Sequence, residues 1–278
     1  MRGRVAGKVF VKMIAETVIS AGVVAAGSLA FARWRRVKLY GELNRRLARI
    51  AAVASFDPSA AFERSLPGFA DRVAIVPQFL PPQALAALKA EAESLIAPER
   101  SYIPTHKKGG TIAYETLIEN APAIVSCYHS RKLMELVSRI VGVRVMPTPI
   151  NDQSSLSLLF YDRPGDHIGW HYDHNFYRGR HFTVLLALDN RGEAEGGLSH
   201  AVLKARTGGH ELEIATPPNT MVVFEGAAVR HKVTPILNGE RRLMLSMTYC
   251  TNPGASWRQG VSRRMKDTAF FGLRALWT

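Results

Sequence analysis

The chain has 278 residues, of which 47% are hydrophobic and 21% charged, with 15 prolines and 22 glycines. This suffices for one large core or two modest ones and excludes a small disulfide-stapled module, wholesale disorder, a collagen-like repeat and a multi-span membrane protein. The formal charge of +13 is uneven: residues 1–50 hold eleven Lys/Arg against two acidic residues and carry +9, leaving +4 for the other 228. Basicity so concentrated argues against nucleic acid as the partner of the body of the protein. The two cysteines, Cys127 and Cys250, suit a reducing compartment and offer no cysteine-based zinc or iron–sulfur spacing.

Residues 18–32 carry no charge, and extension back to residue 13 gives a stretch of bilayer-spanning length interrupted by Glu16. Arg2, Arg4, Lys8 and Lys12 precede it, while Arg33, Arg35, Arg36 and Lys38 follow, with Trp34 where an interfacial aromatic belongs. Arg45, Arg46 and Arg49 tilt the positive-inside rule toward a cytoplasmic body. Three readings stand: a membrane anchor, a cleaved signal peptide with Ala30 and Ala32 at its processing site, or a buried or peripheral helix. Leu39, Leu43, Leu47, Ile50 and Ala54 then recur at helical spacing among arginines. That pattern suits a basic amphipathic helix on an anionic membrane surface, and equally one docked on the domain. Residues 1–57 thus form a distinct N-terminal unit ahead of a body spanning 58–278. Membrane association with a cytoplasmic body is expected, and a soluble cytoplasmic protein is the alternative.

In the body, Pro58 and Pro67-Gly68 break the pattern, and Ile75-Val76 reads as a short strand. A helix is predicted over 83–97, ended by Pro98, and another over 132–141, closed by Gly142. Residues 101–120, with His106, Lys107, Lys108 and Gly109-Gly110, read as a long loop able to act as a lid. From residue 154 onward, eight short strand-like runs follow: SLSLLFY, HIGWHYD, HFTVLLALD, LSHAVLKA, HELEIA, TMVVFEG, VRHKVTPI and RRLMLSMTYC. They predict an all-β sandwich or barrel. The GxGxxG, GxxxxGK[ST] and GxSxG signatures are absent, so function must come from residues mounted on those strands.

His171 and Asp173 stand two apart on a predicted strand, which turns both side chains to one face. His231 on another strand would complete a 2-His-1-carboxylate set, the arrangement that holds Fe(II) and leaves positions open. Arg241 lies ten residues beyond His231, at the start of the final strand. If those two strands are antiparallel neighbours, it can bind a carboxylate bidentately in the same cavity. With nine histidines and about 8% acidic residues, a lone His-x-Asp is what chance supplies, so the weight rests on the combination.

That combination has further parts. Tyr161, Gly165, His171 and Asp173 occur in YDRPGDHIGWHYD, followed by Glu195-Gly196-Gly197-Leu198, and then by His231, Val233, Pro235, Gly239, Arg241 and Leu243 in HKVTPILNGERRL. In order and spacing this resembles the iron(II)- and 2-oxoglutarate-dependent oxygenase superfamily, especially its prolyl-4-hydroxylase-like branch. The resemblance implies a mainly β fold: a double-stranded β-helix, or jelly-roll/cupin-like barrel, over about 154–250, supported by N-terminal helices. By the same resemblance His171, Asp173 and His231 hold Fe(II), Arg241 pairs with the distal carboxylate of 2-oxoglutarate, and Tyr161 donates a hydrogen bond to that co-substrate. Dioxygen is the other co-substrate, and ascorbate the candidate reductant. Collagen-type prolyl hydroxylases often carry lysine at the clamp, so Arg241 argues against copying that substrate class. The related halogenases have a small residue where Asp173 stands, which favours hydroxylation here.

The expected substrate is a hydrophobic or membrane-associated small molecule. A peptidyl-proline or other protein-side-chain hydroxylase is the alternative, and a non-enzymatic barrel that only binds is a third reading. Trp170 and Tyr172 are expected on the strand face opposite the ligands. Asn151, Asp152, His174, Asn175, Phe176 and Tyr177 are placed at the cavity mouth. His167, His181, His200 and His210 are read as structural, and Arg178 and Arg180 as a basic turn. Phe270, Phe271, Leu273, Leu276 and Trp277 form an apolar tail that covers the barrel or meets a membrane.

Overall fold

The computed structural model describes residues 2–54, 56, 65–95, 99–103, 106–194 and 196–272. Its helices are α1 (Arg2–Val53), α2 (Pro82–Ser94), α3 (Tyr114–Asn120), α4 (Pro122–Tyr128), α5 (Arg131–Val141) and α6 (Trp257–Phe271). The strands are β1 (Val73–Val76), β2 (Glu99–Ile103), β3 (Lys107–Ile112), β4 (Met146–Pro147), β5 (Leu156–Tyr161), β6 (His167–His171), β7 (His181–Arg191), β8 (Leu203–Thr207), β9 (His210–Ile214), β10 (Met221–Phe224), β11 (Arg230–Val233) and β12 (Arg241–Cys250). They form one curled sheet in the order β1-β10-β7-β12-β5-β3-β6-β11-β8-β9, with β2 added to β3 and β4 to β12. The eight strands expected from residue 154 onward are all present, and the double-stranded β-helix stands.

Side-chain alternation along β12 gives the sheet two faces. Leu243, Leu245, Met247 and Tyr249 enter the main core, where helices cover the sheet with Leu88, Leu117, Ile124, Leu133, Leu136 and Ile140. Arg242, Met244, Ser246 and Thr248 instead line an internal cavity. Of the cover helices α5 is capped at both ends: the Ser130 hydroxyl accepts the Leu133 N–H at its start. Gly142 ends that helix with a φ of 72°, a left-handed conformation that costs other residues.

Several expectations are corrected. The described residues of 101–120 are not a loop. The β2–β3 hairpin and α3 occupy them, and β3 pairs with both β5 and β6, which makes it part of the cavity wall. The proposed anchor and amphipathic helix are one continuous element, α1. In its second half Leu43 and Ile50 are buried in the main core, with Leu39 and Leu47 packed against it. Arg46 there binds Glu119 of α3, so this half is docked on the body instead of lying free for a membrane. Among the described residues no helix is long and apolar enough to cross a membrane. Glu195, Leu273, Leu276 and Trp277, as well as Pro58 and Pro98, lie outside the described residues.

Candidate metal centre and active-site cavity

His171 ends β6 and His231 lies on β11, and the two residues are antiparallel register partners. That pairing brings their rings to 4.1 Å between centroids. Asp173, just past the end of β6, places Oδ1 3.5 Å from His171 Nε2 and 3.6 Å from His231 Nε2. One ligand atom from each of the three lies within 4.8 Å of the others. Both imidazoles are oriented by backbone: Nδ1–H of His171 donates to Gly169 O at 2.8 Å and that of His231 to Val229 O at 3.1 Å. This fixes the tautomer that leaves each Nε2 lone pair free for a metal.

Asp173 is held as firmly. Its Oδ2 accepts the Thr183 hydroxyl at 2.5 Å, and its N–H donates to Gly226 O at 2.9 Å. A Cβ on Gly226 would stand 2.5 Å from Oδ2, so only glycine permits this approach. Burial opposes the charge on Asp173, but His231 and His171 outweigh it and hold the carboxyl well below its usual range. Burial also lowers the pKa of His231. An anionic carboxylate and a neutral imidazole are the forms in which these groups ligate a divalent cation. The chemistry and arrangement of the three donors fit iron(II).

At the inner end of the same cavity, Arg242 of β12 stands opposite Tyr161 of β5. Arg242 is 1% exposed, with its guanidinium carbon 5.4 Å from the Tyr161 ring centroid. Its Nε reaches Thr216 Oγ1 at 3.4 Å, whereas Nη2 is buried without a hydrogen-bond partner. An unpaired buried guanidinium nitrogen beside a tyrosine fits the carboxylate of a co-substrate.

Arg241, the expected clamp, is elsewhere. It points to the helix side of the sheet, 3.2 Å from Glu93 and 3.8 Å from Asp189. The strand neighbours that would have justified it are also absent, because β12 pairs with β5 and β7 while β11 pairs with β6 and β8. Strand parity with Met244, Ser246 and Thr248 was the available signal for Arg242.

The cavity comprises about 1140 Å³ of empty space, including its open mouth. Asp152, His174, Phe270 and Phe271 line it as expected. Asn151, Phe176 and Tyr177 face a separate depression beside α6, and the Tyr177 hydroxyl donates to Asp152. Trp170 does face outward, against Arg206, Arg230 and Lys232. Tyr172 does not share that face: alternation ends with β6, and its half-exposed ring reaches the cavity mouth. His181 was read as structural, yet it lines the cavity with Nδ1 unpartnered. Arg180 is tied to Glu225. Thr183, Gly226, His106 and Lys107 are further residues of this site that the motifs did not reveal.

A family model described as Halogenase D matches residues 68–270. The chain belongs to the Halogenase D family. Several solved structures share the fold of this Halogenase D family member. AviO1 from Streptomyces viridochromogenes Tue57 is 22% identical, aligned over 73% of this chain and 100% of that one, with a TM-score of 0.51. A prolyl-4-hydroxylase from Pseudomonas putida is 18% identical over 66% of this chain and 95% of that one, with a TM-score of 0.50. SnoN, a non-heme alpha ketoglutarate-dependent epimerase from nogalamycin biosynthesis, is 14% identical over 69% and 79%, with a TM-score of 0.54. No curated protein matches in sequence. Family, fold and the His–Asp–His set together make this Halogenase D family member one of the iron(II)- and 2-oxoglutarate-dependent oxygenases that its motifs resemble.

Proposed function

We propose that this oxygenase hydroxylates a hydrophobic or membrane-associated small molecule, with His171, Asp173 and His231 holding the iron. The observation that carries the reading is the complete set of three protein ligands at the wall of a largely apolar cavity. Iron bound there would supply the activation of dioxygen, coupled to oxidation of 2-oxoglutarate to succinate and CO2, that makes an unactivated C–H bond reactive. Arg242, in the role expected of Arg241, pairs with the distal carboxylate of 2-oxoglutarate, and the Tyr161 hydroxyl donates to the same co-substrate. Leu159, Ile168, Leu203, Phe224, Val233 and Phe270 exclude water and receive the carbon skeleton of the substrate.

Membership of the Halogenase D family does not by itself bring halogenation. Asp173 fills the position that a halide would need, with Thr183 bonded to its carboxylate and Gly226 to its backbone N–H. Membrane association with a cytoplasmic body draws support from two exposed surfaces. On α1, Phe31, Trp34, Val37 and Tyr40 stand exposed among Arg33, Arg35 and Lys38. On α6, the stripe Trp257, Val261 and Met265 faces outward while Arg263 and Asp267 are buried, and the same helix ends in the Phe270 and Phe271 that line the cavity.

Succinate formation from 2-oxoglutarate by the iron-loaded protein, with and without a cell lipid extract and with His231→Ala as control, tests this reading. Lipid-stimulated turnover that the variant loses is the expected result. Stimulation by soluble peptides alone would replace the small molecule by a protein side chain, and a chlorinated product in chloride buffer would replace hydroxylation.

A further inference from the structure

One cation of the cavity wall is left over by the assignments to iron and 2-oxoglutarate. Lys107 of β3 is 5% exposed, with Nζ 2.6 Å from the Thr111 hydroxyl and 5.3 Å from the centroid of the Phe270 ring. Residues 107, 109 and 111 share the inward face of β3, so the Lys107 and Thr111 side chains meet across Gly109. A Cβ on that glycine would stand 3.8 Å from the Tyr161 ring, which places the pair close to the 2-oxoglutarate end. Among the described residues no carboxylate lies within ion-pair distance of Lys107. The other buried ammonium of the wall, Lys266, is answered by Asp267 at 3.0 Å and Asp152 at 3.5 Å.

Charge counting makes the excess plain. A divalent iron is neutralised by Asp173 and the carboxylate of 2-oxoglutarate next to its keto group. Arg242 is neutralised by the distal carboxylate. Lys107 then remains as a buried positive charge without a counter-charge, and burial already pushes its ammonium down to about 8. Folding retains such a charge at a cost, and the group that offsets the cost is an anion arriving with a ligand. The residue before it, His106, packs edge-on against His171 at 5.3 Å between ring centroids, so this strand end adjoins the metal centre.

We propose that Lys107 and Thr111 form a second anion subsite that binds an acid group of the substrate, a carboxylate or a phosphate. The molecule oxidised is then an acid on an apolar skeleton, not a neutral lipid. This deepens the oxygenase reading and rests on it. Lys107 supplies the charge, Thr111 a neutral hydrogen bond, and Ile168 and Phe270 the apolar contact beside the head group.

The test is calorimetric binding of octanoate, octyl phosphate and octanamide to the full chain loaded with Mn(II) and saturated with 2-oxoglutarate. Wild-type protein is expected to bind at least one of the acids about tenfold more tightly than the amide, and the tighter acid identifies the head group. Lys107→Met should bind acid and amide alike, Lys107→Arg should keep the preference, and Thr111→Val should weaken it in part. The Thr111 variant carries the test if the lysine variants fail to fold. No preference in the wild type, or a preference that survives in Lys107→Met, overturns the proposal. So does a rise of about tenfold in the 2-oxoglutarate dissociation constant of Lys107→Met with the acid preference intact, which would assign the lysine to the co-substrate. Binding preference is read without turnover. Absence of iron-dependent succinate formation would therefore strike the oxygenase reading while leaving the subsite to be judged on its own result.

Discussion

On its helix side, the sheet gives its cation counter-charges: Arg241 meets Glu93 and Asp189, although its Nη2 is buried without a hydrogen bond, and Leu243, Leu245, Met247 and Tyr249 pack under α2–α5. On the cavity side of the same strands, Arg242 has a buried nitrogen without a partner, and Lys107 has a hydroxyl but no counter-charge. A single step along β12 separates these conditions. The difference teaches where each face spends its polar groups. Answered by carboxylates on the helix side, cations serve the fold; left without a counter-charge in the cavity, they form a preorganised site whose missing partners are ligands.

The two arginines give the sharpest way to break the comparison. Arg242→Met should raise the KM for 2-oxoglutarate by about 100-fold, the loss expected when a buried charge partner is removed. Its thermal stability without ligands should hold or rise, since an unpaired buried cation disappears. Arg241→Met should show the reverse: a KM within about twofold of wild type and a loss of up to about 1 kcal/mol in stability, because a partly exposed pair with Glu93 goes while the buried Asp189 keeps Lys89 and Arg191. Steady-state succinate assays and thermal unfolding of both variants decide the matter, and equal KM increases would erase the distinction.

The support behind the metal ligands should show a smaller effect. Thr183→Val leaves Asp173 in place but removes the hydrogen bond to its Oδ2. Iron affinity should fall by about 10- to 100-fold in a metal titration, as for other groups that orient a ligand. An unchanged affinity would mean that the backbone bond from Asp173 N–H to the Gly226 carbonyl suffices to hold the residue in place.

The smallest expected effect is a pH slope at Lys107. Its folded pKa of about 8 lies below the ordinary 10.5. Between these values the unfolded chain binds more protons than the folded one, so stability rises with pH across that window. Denaturant unfolding at pH about 8 and about 9 should show wild type gaining about 1 kcal/mol relative to Lys107→Met. A parallel pair of curves would mean that the ammonium is not desolvated, and the contrast between the two faces would weaken.

Much of this architecture was legible before any coordinates. The runs from SLSLLFY to RRLMLSMTYC alternate or stay apolar over strand length, and each forms a strand where expected. The two-residue spacing of His171 and Asp173 pointed to one face, but Asp173 lies beyond β6, where alternation has ended, and its bonds to Thr183 and Gly226 set its direction. The β2–β3 hairpin was illegible, since KKGGTI is polar and glycine-rich and becomes a strand only by pairing between β5 and β6. Helix α1 was ambiguous for another reason: an amphipathic face records that it will be buried, not what will bury it.

The sequence by itself determined the run of short strands, the pairing of His171 with Asp173 and the presence of an arginine near the start of β12, because periodicity and short spacing are local properties of the chain, while His231 and the barrel type were read from the resemblance of its motifs. Tertiary structure decided which arginine enters the cavity, and that β3 brings Lys107 and Thr111 to its wall. Those outcomes depend on strand register and on which strands become neighbours, and a shift of one residue sends a side chain to the opposite face of the sheet.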